Sequence, residues 1–464
     1  MRGRGILRGI AKGTTAKATT ENRQREPPMP TSFDPPHLDT AVPVLLLKVS
    51  RNAIQHGAVG AIRTLGRLGV PVYAVVEDPF APAARSRYLA GAFIPDDWAK
   101  WQDAPLAGLE DIGKNLRRKA ILVPTEDLAS VFIAEHSESL EKWFVFPRPP
   151  SDLPRRLANK TELYPLCAKI GVPCPETAFP SHIDDVRAFL ERAVFPVVVK
   201  APGLRRLPRC IPSVSIARTP GELLALYQRA EDAGIPDLIL QEYIPEACGE
   251  DWIYHGYTNP ENGCRIGFTG KKLRSYPPFR GVTTLGATLP NHVLSRQTER
   301  LLDAISYAGI MDIDYRFDKR DGRYKLLDFN PRVGANFRLF EDRAGLDVVR
   351  ALHLDLTGRS IGPLRPYTHR TFKLGPYDLL ATFGYLRSGD LTFRTWWRSR
   401  KGRRKERAWF HWDDPVPFFL MCARLSLRTM GRFLQASRAR LPFALFTSPP
   451  AGADRRPEHP TSTF

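Results

Sequence analysis

The chain has 464 residues, a formal charge of +19 and a pI near 9.8, with enough apolar content for two or three domain cores. Its six cysteines form no CxxC pair and no Cys/His zinc spacing, and no run reaches the roughly 18 apolar residues of a membrane span. A disulfide scaffold, a structural zinc module and a spanning helix are thereby disfavoured, and a reducing cytoplasm is the expected setting.

Residues 1–40 are basic and lack the apolar centre of a secretory signal, so they read as a disordered segment, with Met29 as a second candidate start. From Val42, "VPVLLLKVS" reads as a buried strand. The following "RNAIQHGAVGAIRTLGRLGVPVYAVVED" reads as loop, helix, turn and second strand. This β-α-β unit predicts an α/β domain with a Rossmann-like parallel sheet over residues 41–150. Gly57, Gly60 and Gly66 do not spell G-x-G-x-x-G, and close helix packing is the simpler reading of them.

Residues 151–363 change character. A helix from Asn159, "KTELYPLCAKIG", and another from about Asp184 precede the strand "FPVVVK". A third helix, "PGELLALYQRAEDAG", leads to "DLILQEYI", and the rest is rich in strands up to Asn330. The expectation is an α+β region with mostly antiparallel strands.

Near its end, "IDYRFDKRDGRYKLLDFN" reads as a hairpin. A three-residue loop, Arg320-Asp321-Gly322 with Gly322 left-handed, would pair Ile313 with Phe329, Tyr315 with Leu327, and Asp314 with Asp328. Asp314, Asp328 and Asn330 then share one face and the apolar side chains the other. Two opposed carboxylates repel, so a cation should lie between them. Three hard oxygen donors suit Mg²⁺; the alternative is that both aspartates face solvent or pair with arginines such as Arg316 or Arg332. Taken singly, Lys200 at the end of "PVVVK" reads as a snorkelling surface lysine, and Lys160 at a helix start as a cation unfavourable to the dipole unless it meets an anion; together with the carboxylate hairpin, in a chain that has no Walker loop, they read as a nucleotide site of another kind.

Together these stretches resemble the ATP-grasp superfamily, in particular the carboxylate–amine ligase branch. The resemblance runs from about Pro43 to Arg343 through "RTLGRLGVPVYAV", "NKTELYPLCAKIGVPCPET", "FPVVVK", "LILQEYIP", "FTGKKLRSYPP" and "DIDYRFDKRDGRYKLLDFNPR". It implies that residues 41–150 are the domain preceding an ATP-grasp fold of two subdomains. It further implies that Lys160 and Lys200 hold ATP phosphates, that Gln241, Glu242, Tyr243 and Ile244 contact adenine, and that Glu250 takes the ribose. Asp314, Asp328 and Asn330 would ligate Mg²⁺, with Mn²⁺ as a substitute. Arg332 would steady the substrate carboxylate or acyl phosphate, and Arg274 would be a second anion-binding group.

The implied reaction activates a small-molecule carboxylate as an acyl phosphate and joins it to an amine, releasing ADP and phosphate. The alternatives are transfer of the acyl phosphate to a thiol, carboxylation, or an inactive relative that binds nucleic acid or anionic membrane. The chain departs from the family pattern in three places: a glycine-poor loop after Lys200, Asp328 where glutamate is commoner, and Asp312 where relatives often carry a basic residue.

Residues 364–445 form a basic, aromatic region that reads as helical, and 446–464 as a disordered tail. "RTWWRSRKGRRKER" could stack bases or sit at a membrane interface, though a charged loop is usually only solvated, and nucleic acid is the less expected partner. In the helix that follows, Arg424, Arg428 and Arg432 line one stripe and Leu420, Leu427, Met430 and Leu434 another. That helix either lies on an anionic membrane or packs against the body. Oligomeric state is not legible.

Overall fold

Four short apolar runs and one longer one build a five-stranded parallel sheet near the start of the chain. These are β1 (Val44–Leu47), β2 (Val72–Val75), β3 (Gly91–Phe93), β4 (Ala120–Pro124) and β5 (Phe144–Val145), in the order β3-β2-β1-β4-β5. The computed structural model describes residues 36–51, 56–200, 214–235, 237–279, 281–399 and 404–438. The two segments expected to be disordered at the ends lie outside these, apart from residues 36–40, and so does most of the loop after Lys200.

Both faces of the parallel sheet are covered, which is why its strands are apolar throughout instead of alternating. Val44, Leu46, Val72 and Ala74 pack under the helix His56–Gly66, while Leu45, Leu47 and Leu122 pack under the helices Pro105–Leu116 and Asp127–Glu135. The three glycines of the first helix serve close packing. A Cβ on Gly60 would lie 2.9 Å from the Phe337 ring, and one on Gly66 would lie 2.6 Å from the Tyr88 carbonyl oxygen.

A four-stranded antiparallel sheet follows, in the order β6 (Thr177–Ala178), β9 (Ile239–Glu242), β7 (Val197–Lys200) and β8 (Val214–Ala217). It has a core of its own, built by Val197, Val199 and Leu240 against Val186, Phe189, Leu223 and Tyr227 of two helices.

The third sheet has seven strands. Its order is β14 (Arg323–Asn330), β13 (Gly309–Asp318), β10 (Gly249–Asn259), β11 (Cys264–Tyr276), β12 (Val282–Thr288), β15 (Thr371–Lys373) and β16 (Lys405–Arg407). All neighbours are antiparallel except β15 and β16. The last two strands come from the region expected to be helical, so part of that region completes the sheet.

Alternation sorts the seven-stranded sheet into two faces. Trp252, Tyr254, Ile313 and Tyr315 meet the helices Leu153–Ala158, Lys160–Lys169 and His292–Ala304. On the other face Ile253, Tyr257 and Ile310 pack under the helix Val348–Leu356, in one continuous core with the first helix of the parallel sheet. Beyond Ile310 that face is less covered, and Asp312 and Asp314 lie on it, each part-exposed.

Candidate active site

The β13–β14 hairpin places the carboxylates. Asp314 stands directly opposite Asp328 and Ile313 opposite Phe329, as the apolar alternation predicts. The route to that register differs from expectation in two places. The turn holds four residues, Lys319 to Gly322, with Asp318 opposite Arg323 and Gly322 left-handed at φ 70°. Tyr315 pairs with Leu326 instead of Leu327, because the ladder slips by one residue between Asp314 and Tyr315. The longer turn shifts the pairing by one position and the bulge at Leu327 restores it. The bulge is stabilised from outside: Tyr164 Oη donates to the Leu327 carbonyl at 2.9 Å, and the Leu326 N–H donates to the Pro173 carbonyl at 2.8 Å.

Each carboxylate of the pair carries one lysine. Lys160 Nζ lies 2.6 Å from Asp328 Oδ1 and Lys272 Nζ 2.7 Å from Asp314 Oδ2. Lys160 is the first residue of its helix, where a cation meets the positive dipole end unless an anion is supplied, and Asp328 supplies it. Lys200 donates to Gln241 Oε1 at 2.9 Å, which is itself braced by Thr177. Burial, with the repulsion of Lys160, pulls the Lys200 ammonium down to about 8 against the attraction of Asp328. Burial likewise pushes Asp314 up to about 6; Lys272 opposes the rise, and the neighbouring Asp312 and Asp328 carboxylates reinforce it.

Arg332 closes one end of the row. Its Nη2 donates to Asn330 Oδ1 at 2.9 Å, its Nε reaches Asp127 at 3.2 Å, and its Nη1 lies 3.4 Å from Asp312. Beneath it, the Gly334 N–H donates to His255 Nε2 at 3.1 Å. His255 is fully buried; burial and Arg332 hold its imidazole down near 3, so it is neutral. Gly334 is required here, since a Cβ would lie 2.4 Å from Asp312 Oδ2 and 2.5 Å from His255 Nε2.

The predicted adenine segment runs along the end of β9. Gln241 and Glu242 are buried there, and Ile244 beyond it is also buried. The Tyr243 N–H bonds to the Pro196 carbonyl at 2.8 Å. The Glu242 carboxylate is held by Lys325 at 3.0 Å and by Arg320, and so ties β9 to the tip of the hairpin. Glu250 is part-exposed at the start of β10; hydrogen bonding to Lys271 at 2.8 Å, with Lys319 nearby, holds its carboxyl below the usual range.

Arg274 does not join this group. It is buried, and its guanidinium forks onto Asp378, Nε at 2.9 Å and Nη2 at 3.1 Å, with Nη1 on Ser399. The residue of "KKLR" that reaches the carboxylates is Lys272. Sequence reasoning also missed Asp127 and His255. Asp127, at the head of a helix far away in the chain, leaves no local signal, and His255 lies inside an apolar strand.

Among the described residues no three His, Cys, Asp or Glu side chains form a metal cage. The donor set is instead two opposed carboxylates and the Asn330 amide, all hard oxygen donors. Crowding of Asp312, Asp314 and Asp328, with Asp314 held up near 6, fits a divalent cation beside the lysines.

No family model matches the chain. It is 25% identical over 289 residues to the D-aspartate ligase of Enterococcus faecium (strain Aus0004), covering 60% of this chain and 68% of that protein. The N5-carboxyaminoimidazole synthetase of Staphylococcus aureus, also solved with ADP, superposes with a TM-score of 0.54 at 11% identity, covering 74% of this chain and 83% of that one. A biotin carboxylase–beta-gamma-ATP complex from Campylobacter jejuni gives 0.53 at 13% identity, covering 71% and 74%. The chain thus has the ATP-grasp fold, and its likeness to D-aspartate ligase sets it beside the carboxylate–amine ligases of that superfamily.

Proposed function

We propose that this chain is an ATP-dependent ligase that activates a small-molecule carboxylate as an acyl phosphate and joins it to an amine. The observation that carries this reading is the row of opposed Asp314 and Asp328 with Asn330 beside them, flanked by Lys160, Lys200 and Lys272. ATP would lie between the four-stranded sheet and the open face of the hairpin, with its base along Gln241 to Ile244, its ribose at Glu250 and its phosphates at Lys160 and Lys200.

Attack of a carboxylate on the γ-phosphate brings two anions together, so the site must supply positive charge where none is needed in the product. A Mg²⁺ ion held by Asp314, Asp328 and Asn330 would supply Lewis acidity at the phosphates. Lys160 and Lys200 can leave their present partners for phosphate oxygens, since each is a point charge on a flexible stem. Arg332 can orient the substrate carboxylate with the donors not spent on Asn330. Asp127 and Asp312, both beside Arg332, are placed to receive an ammonium group. No protein nucleophile enters the scheme.

The test is an ADP-release screen over carboxylates and amines, beginning with the two enantiomers of aspartate, with products identified by mass. The expected result is ADP release that needs both an acid and an amine. Turnover that survives in Asp328→Ala combined with Asn330→Ala would sink the reading.

A further inference from the structure

Helices on a protein surface usually turn their apolar stripe inward. The helix Gly375–Arg387 does the reverse with much of its apolar surface. Asp378, Ala381, Thr382 and Tyr385 face the body, while Leu379, Leu380, Phe383 and Leu386 face solvent, Leu379 at 63% and Phe383 at 69% exposure. Its inner face is firmly fixed. Asp378 takes Arg274 and Lys373, and Tyr385 Oη accepts from the Phe279 N–H at 3.0 Å. The exposed leucines are therefore held in place by a polar underside.

The display continues beyond this helix. Of the eighteen large apolar side chains exposed among the described residues, eleven lie between Leu379 and Met430. The helix Phe393–Ser399 adds Phe393 and Trp397, ring centroids 6.3 Å apart. Leu379 also opens onto a groove of about 610 Å³ that it shares with Phe410, Trp412 and Phe418, and that Lys373 and Arg407 also line.

The charge around this surface is predominantly positive, with Asp390 its one exposed acid between Lys373 and Trp412 among the described residues. From Lys373 to Trp412 the sequence holds ten lysines and arginines and three acids. Two of the acids, Asp378 and Glu406, are buried in pairs with Arg274 and Arg370. Arg387, Arg394, Arg398, Lys405 and Arg407 are exposed.

We propose that the helices Gly375–Arg387 and Phe393–Ser399 form a docking face for the surface of an anionic lipid bilayer. Leucine and phenylalanine would enter the boundary between headgroups and acyl chains, tryptophan would sit at the headgroup level, and the arginines would meet lipid phosphates. The charge decides against a second copy of this chain, because two such faces would repel. Nucleic acid would satisfy the cations but leave Leu379, Leu380 and Leu386 with neither a base to stack on nor a hydrogen bond to make. The contact is peripheral, since among the described residues no helix is long and apolar enough to cross a membrane.

The experiment is co-sedimentation of the full-length protein with vesicles of phosphatidylcholine alone and of phosphatidylcholine mixed equally with phosphatidylglycerol. The expected result is strong partition to the mixed vesicles, weakened by salt, and little to the neutral ones. Leu379→Glu with Phe383→Glu should abolish partition while the circular dichroism spectrum and melting temperature stay unchanged, because both side chains are exposed. Arg394→Ala and Arg398→Ala should each lower affinity about fivefold. No partition, or equal partition to both vesicles, overturns the proposal. So does single-stranded RNA binding tighter than vesicle binding and unaffected by the glutamates, or a solution dimer that Phe383→Glu disperses.

Discussion

Asp414 and Asp328 are both paired with cations, but in different ways. Asp414 is buried behind the parallel sheet, where its side chain receives Arg63 Nε at 2.9 Å, Ser86 Oγ at 2.7 Å and the Arg87 N–H at 3.0 Å. Arg63 Nη2 also reaches the Trp409 and Asp414 carbonyls at 2.8 and 2.7 Å. Asp328 keeps 37% of its side chain exposed and takes a single lysine. A guanidinium fork engaged on several sides fixes two segments together, whereas one ammonium on a flexible stem leaves oxygen lone pairs free for another cation. In this pair of contacts the arginine fastens two distant segments together, and the lysine leaves its carboxylate open to a change of partner.

Substitutions can break that distinction. Asp414→Ala leaves Arg63 buried without its carboxylate and should cost about 3–5 kcal/mol in denaturant unfolding; a loss near zero would make the two kinds of pair equivalent. Asp328→Ala should lower turnover by about 10²–10³-fold while leaving the melting temperature unchanged, because Lys160 regains water. Gly334→Ala should cost about 1–3 kcal/mol by overpacking against Asp312 and His255, and should lower activity along with stability. The mildest effect is on pH dependence. Lys200, pulled down by burial to about 8, is charged below that value, so nucleotide affinity should fall a few-fold as pH rises through about 8. Lys200→Arg should flatten the profile, since a guanidinium stays charged there.

Much of the cleft was legible because it depends on alternation along single strands. Asp314 and Asp328 could be opposed from the period-two pattern and Gly322 alone, although the turn and the bulge that produce the register were not visible separately. Their effects cancel at the carboxylates and show from Tyr315 to Asp318, where every pair is offset by one residue. Arg274, expected as a second anion-binding group, lies away from the carboxylates for a different reason: the partner that captures it is Asp378, 104 residues later. A still longer separation hides the Arg63–Asp414 rivet, which spans 351 residues. For the helix Val416–Arg438 neither expectation is sufficient by itself. Met421 is buried and Arg424 binds Asp78 at 2.7 Å, while Leu427 and Met430 remain exposed. Periodicity reveals that a helix has an apolar stripe, but not which way the stripe will point once another element has claimed the opposite side.

Glu242 sits where β9 meets the hairpin, gripped by Lys325 and Arg320, while Lys200 on the adjoining strand lies opposite Ile239, at the other end of β9. The Glu242 ion pairs therefore tie the four-stranded sheet to the tip of the hairpin at one end of β9, and a shift of either sheet against the other would have to break them.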